Sequence, residues 1–194
     1  MSSTIRAVRP PSHDHRPRRL RARIAAGVAA ALGIGSALVS AYWACGGTAL
    51  LDTVGGEIER LGRQRGPLVL VALWGIVVLK AGVAAAAPVL AVGPGRLPSW
   101  SRGRVPRVLS WAAASVLTLY GGVLTLVGLL VQAGAIDSSG GDRRALTWHA
   151  YVWDPWFFFW GVAFLWCLSL TRRCSPPPGD PDAVTETRGG DVQI

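Results

Sequence analysis

The sequence predicts an all-α fold, a polytopic transmembrane four-helix bundle with both termini on the same side and disordered at their ends. Three observations predict it. First, four apolar runs, Ile24–Cys45, Leu68–Val92, Val108–Val131 and Trp153–Leu170, hold 22, 25, 24 and 18 of the 194 residues. Each approaches or exceeds the ~20 residues a helix needs to cross ~30 Å of hydrocarbon. Second, those 89 residues carry only two charged side chains, Lys80 and Asp154, while the other 105 carry 29. Third, the five pieces left over hold 23, 22, 15, 21 and 24 residues. All fall short of the ~40 residues below which an unaided domain rarely folds, so a soluble catalytic domain is excluded.

Residues 1–23 read as a disordered basic tail, 24–171 as the membrane domain and 172–194 as a second disordered tail. The tail before the first span has seven arginines and mixes Ser, Pro and His without periodicity. With the middle loop (Arg96, Arg102, Arg104, Arg107) and the last tail (Arg172, Arg173, Arg188), one side holds 14 basic residues. The other side holds five, namely Arg60, Arg63, Arg65, Arg143 and Arg144. Short loops rich in Lys and Arg stay cytoplasmic. The reading is therefore a multi-pass protein of the cytoplasmic membrane with both termini inside. The same arginines suit anionic lipid headgroups, whereas no aromatic residue interleaves them as nucleic-acid binding would want. A cleaved leader is disfavoured, since span one is longer than a signal core and ends in bulky Tyr42-Trp43.

Taken in order, span one has small residues at Gly27, Ala31 and Gly35, a spacing that lets a neighbouring helix approach. Loop one, Gly46–Pro67, contains Thr53–Leu61, which suits a short amphipathic turn on the outer surface. Span two holds Lys80 twelve residues in and a proline, Pro88, where a bend is expected. Span three has Tyr120-Gly121-Gly122 as a packing notch. Loop three, Gln132–Val152, carries the turn cluster Asp137–Asp142. Asp154-Pro155 then reads as the start of span four, its carboxylate capping free N–H groups and proline fitting the first turn. Tyr42, Trp43, Trp148, Tyr151, Trp153 and Trp156 mark the outer interface, and Trp100 and Trp111 the inner one.

Chemistry concentrates in few places. Lys80 is the only lysine and lies near mid-membrane, where a charge costs ~2.5–3.5 kcal/mol on translocon scales. It reads as a relay or counter-charge, or as a stem that snorkels. With Asp154 at the outer edge, about 18 Å would separate the two, so a direct pair is not expected. His149 and Asp154, five apart, suit an outward cleft in which they face one another. Trp153, Trp156, Trp160 and Phe164 form one helical stripe, most simply a packing stripe. There is no Cys-x-x-Cys, phosphate-cradling glycine loop, His-Glu-x-x-His or Gly-x-Ser-x-Gly, and only one histidine near the membrane. No catalytic residue, metal ligand or cofactor is therefore assigned.

Ala41–Gly47 and His149–Phe157, with Trp160-Gly161 beyond, resemble a family of small four-span bacterial membrane proteins of unknown function. The resemblance covers about residues 24 to 171 and implies four helices, both termini inside and the two aromatic motifs together outside. Members often carry histidine where this chain has Ser40, so a two-histidine metal site is not expected. The leading expectation is a non-enzymatic accessory protein whose outer aromatic cluster (Tyr42, Trp43, Trp153, Trp156) binds lipid, a partner helix or a small hydrophobic ligand. The alternatives are a transport or proton-conducting subunit using Lys80, His149 and Asp154, and, further off, an enzyme on a lipid-linked substrate. A homo-oligomer or membrane-protein partner fits the first two.

Overall fold

A computed structural model describes residues 15–91, 103–137 and 142–171, with side chains from residue 17 onward. The described residues are helical and contain no strand. The order is α1 (His15–Ala44), a 3-10 turn (Leu51–Thr53), α2 (Gly56–Gln64), α3 (Pro67–Ala91), α4 (Arg104–Gln132), α5 (Arg143–Trp148), a π-helical turn (His149–Trp153) and α6 (Asp154–Leu170). Four stretches are long and apolar enough to cross a membrane: α1, α3, α4, and α5 through α6 taken as one helix. The expected tails 1–14 and 172–194, most of loop two with Trp100, and Ser138–Gly141 lie outside the described residues.

Two boundaries differ from the sequence reading. Helix α1 begins at His15, so residues 15–23 are helical rather than a disordered tail. Arg, Leu and Ala are good helix formers, and Pro17 falls in the first turn, where its missing N–H costs nothing. The fourth span begins at Arg143, ten residues before the expected Trp153. Its cap is Asp142, whose side chain accepts from the N–H groups of Arg144 (2.9 Å) and Ala145 (3.5 Å). Asp154 is no cap: it continues a helix already formed, across the π-helical turn in which its N–H reaches back five residues to the His149 carbonyl. A wide turn suits Pro155, whose ring would press on a carbonyl four residues back in a regular helix.

Helices α1 and α3 pack together, α4 packs on α6, and the two pairs join where α1 meets α6. Helices α3 and α4 therefore flank the bundle and touch each other only lightly. The core is large on one side and small on the other three: Trp160, Phe164 and Leu168 of α6 insert among Ala25 and Ala29 of α1, Ala84 and Ala87 of α3, and Ala114 of α4. Small residues at helix interfaces let apolar side chains interlock where hydrocarbon supplies no hydrophobic drive.

The ridge on α1 is only in part the one expected. Gly27 is exposed with nothing near its Cβ position, and Ala31 is exposed too, whereas Gly35 packs on Trp156, whose ring a Cβ would meet at 2.9 Å. The buried stripe runs through Ala25, Ala29, Gly33, Ser36 and Ser40. Two residues turn a helix by ~200°, so Gly27 and Ala29 face opposite ways. Gly33 leaves room that a Cβ would take from Ala84 and Trp160, at 2.6 and 2.7 Å. On α4 the expected notch is real: Gly121 lies against the backbone of Asp154, Phe157 and Phe158.

Candidate functional site

The end of the bundle that carries loop one and the start of the fourth span is a stapled cap. After α1 the chain turns through Gly46 at φ 105° and runs back to the 3-10 turn, which buries Leu51 and Thr53. Gly55, at φ 69°, then lets the chain pass so close to Ala145 that a Cβ there would stand 2.6 Å from the alanine methyl. These contacts hold loop one against the entrance of the fourth span.

The expected residues meet here, and each has a partner within the protein. The Trp43 indole donates to the Ala49 carbonyl at 2.9 Å, and the Tyr42 hydroxyl accepts from the Ala49 N–H at 3.4 Å. Trp153 donates to the Thr53 hydroxyl at 3.1 Å. Its ring meets Trp43 edge to face at 5.8 Å and lies tilted beside Trp148 at 6.3 Å. Trp156 donates to the Leu32 carbonyl of α1 at 2.9 Å. Arg144 pairs with Asp52 at 3.1 Å across the same seam. The aromatic cluster is thus a clamp between loop one, α1 and the fourth span. Trp160 and Phe164, farther along the stripe, are core residues.

His149 and Asp154 do face one another. Nδ1 of His149 lies 3.2 Å from Oδ1 of Asp154, and Nε2 lies 3.3 Å from the Val54 carbonyl. Asp154 is buried. A carbonyl only accepts, so the Val54 link requires hydrogen on Nε2, and the two contacts together hold the ring between loop one and the fourth span. Val54 and Thr53 were not singled out in the sequence; the Gly55-Gly56 pair behind them, free to take positive φ, is the signal that the chain doubles back there.

Lys80 sits apart from this pair. Its Nζ donates to the Ser40 hydroxyl at 2.9 Å and lies 5.2 Å from the centre of the Phe157 ring. Among the described residues it makes no ion pair, so no Lys80–Asp154 bridge forms, but depth is not the reason. Gln132, the last residue of α4, bonds Thr147, and Asp154 lies seven residues farther in, about 10 Å along the helix. The Lys80 stem climbs to Ser40, four residues from the end of α1. The lysine stem ends on a protein hydroxyl rather than on a carboxylate. Tyr120 of α4, half-exposed, meets Phe157 edge to face at 6.1 Å. Lys80 and Tyr120 thus flank one ring of α6 from the two outlying helices.

Among the described residues no three His, Cys, Asp or Glu side chains gather as a metal site would need. The model of the family described as "Protein of unknown function (DUF3995)" matches residues 33–164, which contain the cap, the His149–Asp154 pair and Lys80. No curated protein and no solved structure matches the chain. With well over half its length covered by that model, the chain belongs to the DUF3995 family.

Proposed function

We propose that the protein is a non-enzymatic interaction subunit of the cytoplasmic membrane, which receives a partner transmembrane helix along α3. One observation carries this reading. Lys80, in a span of which only 6% is buried, has for partners a hydroxyl and an aromatic ring and no carboxylate among the described residues. A charge held inside hydrocarbon is costly, and an acidic or amide side chain on a neighbouring helix would offset much of that cost. The aromatic cluster, its indole groups satisfied internally, serves as the rigid frame behind this face rather than as the ligand site. A photoreactive residue at Ile76, one turn from Lys80 and exposed, tests the idea in living membranes. A discrete protein adduct that fades in Lys80→Met and returns in Lys80→Arg supports it. Adducts to lipid alone, or a protein adduct indifferent to Lys80, overturn it.

The proposed orientation places the arginine-rich end in the cytoplasm. Cys45 is exposed at the opposite end, so in a Cys174→Ser variant a membrane-impermeant maleimide should label it in intact cells. Labelling only after permeabilisation would reverse the topology.

A second reading, proton transfer through an oligomer, is favoured by the 3.2 Å approach of His149 to the buried Asp154 carboxyl. Proteoliposomes decide it: proton flux that drops in Lys80→Met and Asp154→Asn supports conduction, and flux equal to that of lipid alone in the unaltered protein rejects it.

A further inference from the structure

We infer that the arginine end of α4 is a seat for one anionic phospholipid, independent of any partner on α3. A groove of about 490 Å³ is lined there by Arg104, Arg107, Val108, Trp111, Ala112 and Ser115. Its ends differ chemically: two guanidinium groups at the mouth, then an almost wholly apolar wall. From Arg104 to Ser115 is eleven residues, about 16 Å of helix, which matches a headgroup and roughly one leaflet of acyl chain.

The mouth is built for a phosphodiester. Arg107 donates through Nη2 to the Thr171 carbonyl at 2.9 Å, which fixes its guanidinium between α4 and the end of α6. Arg104, exposed beside it, has no hydrogen-bond or ion-pair partner among the described residues. Two planar forks one helical turn apart suit the oxygens of one phosphate, because guanidinium groups bind such oxyanions in bidentate fashion. Among the described residues no carboxylate lies at this end. Every described acidic residue, from Asp52 through Asp154, belongs to the opposite half of the bundle, whereas Arg18, Arg19, Arg21 and Arg23 of α1 lie at this end. The occupant is therefore a lipid with net negative charge rather than a zwitterionic one. Val108 and Ala112 take its chain, and Trp111 stands at the depth where an indole favours the boundary between headgroup and hydrocarbon.

The full-length protein in mild detergent, titrated with phosphatidylglycerol or phosphatidylcholine and read by native mass spectrometry, tests this. Phosphatidylglycerol should bind with one preferred stoichiometric adduct and phosphatidylcholine only weakly. Arg104→Gln should weaken the adduct about fivefold, and Arg104→Lys, which keeps the charge but not the fork, should restore only part of it. Ala112→Trp, which fills the groove without changing charge, should also remove it while the protein elutes and melts as before. Equal retention of the two lipids, wild-type binding by Arg104→Gln, or wild-type binding by a folded Ala112→Trp would each overturn the site. Inorganic phosphate at the same concentration should not displace the lipid; if it does, the apolar wall plays no part and the assignment fails.

Discussion

Helix α3 and the fourth span invert the rule that water-soluble proteins teach. Of the four spanning stretches α3 is the most apolar and the least buried, at 6%; the fourth is the least apolar and is buried to 39%. In water the greasiest helix would be the central one. In a bilayer, lipid tails satisfy leucine and valine as well as protein does, and what gains from burial is polar or small. Asp154 goes inside, with His149 half-buried beside it, because hydrocarbon gives a carboxyl no partner; alanines and glycines go inside because they let backbones approach. Apolar content therefore locates a span, while polar and small residues locate it within the bundle.

Substitutions can break that contrast, and the largest effects belong to the fourth span. Gly121→Leu sets a side chain against the α6 backbone and should cost about 3 kcal/mol or more in reversible unfolding in detergent. The matched change Gly82→Leu on α3, where nothing lies within 4 Å, should cost nothing measurable. Equal losses at both sites would mean that α3 is packed after all. Next, Asp154→Leu strands a His149 nitrogen beside the seam and should destabilise by about 2 kcal/mol, with Asp154→Asn losing less. A stabilised Asp154→Leu would assign the pair to function and not to folding. Gly55→Ala forces a methyl into positive φ and toward Ala145, and should loosen the cap by about 1–2 kcal/mol, seen as faster proteolysis of loop one. Smallest of all, Val78→Ala, on the exposed face of α3, should stay within about 0.5 kcal/mol of the unaltered protein.

The spans were legible because hydrocarbon thickness is a strict ruler and two charges in 89 residues leave no other reading. The amphipathic turn in loop one was legible too: α2 carries the ion pairs Glu57–Arg60 and Glu59–Arg63, with Ile58 and Leu61 exposed. So was the meeting of His149 with Asp154, a matter of five residues on one strand of chain. Depth was harder. Asp-Pro is a helix start in most settings, and here Asp142 had already supplied the cap; its signal, an aspartate after two glycines and before Arg-Arg-Ala-Leu, stood in what looked like a loop. The α1 ridge was misplaced in part, because Gly27 and Ala31 on the exposed face are indistinguishable by type from Gly33 and Ala29 on the inner one. The partners Ser40, Thr53 and Val54 lie 40, 100 and 95 positions from the groups they bond. No local pattern encodes so distant a meeting.

That last separation bears on how the molecule is made. Thr53 and Val54 leave the ribosome about a hundred residues ahead of Trp153 and His149, a wait of about 5–20 s at ordinary rates of synthesis. Throughout it, loop one has nothing to close upon. The clamp is thus the final joint of biogenesis, and a chain halted anywhere before its last span would display an unlatched loop to any protease that reaches it.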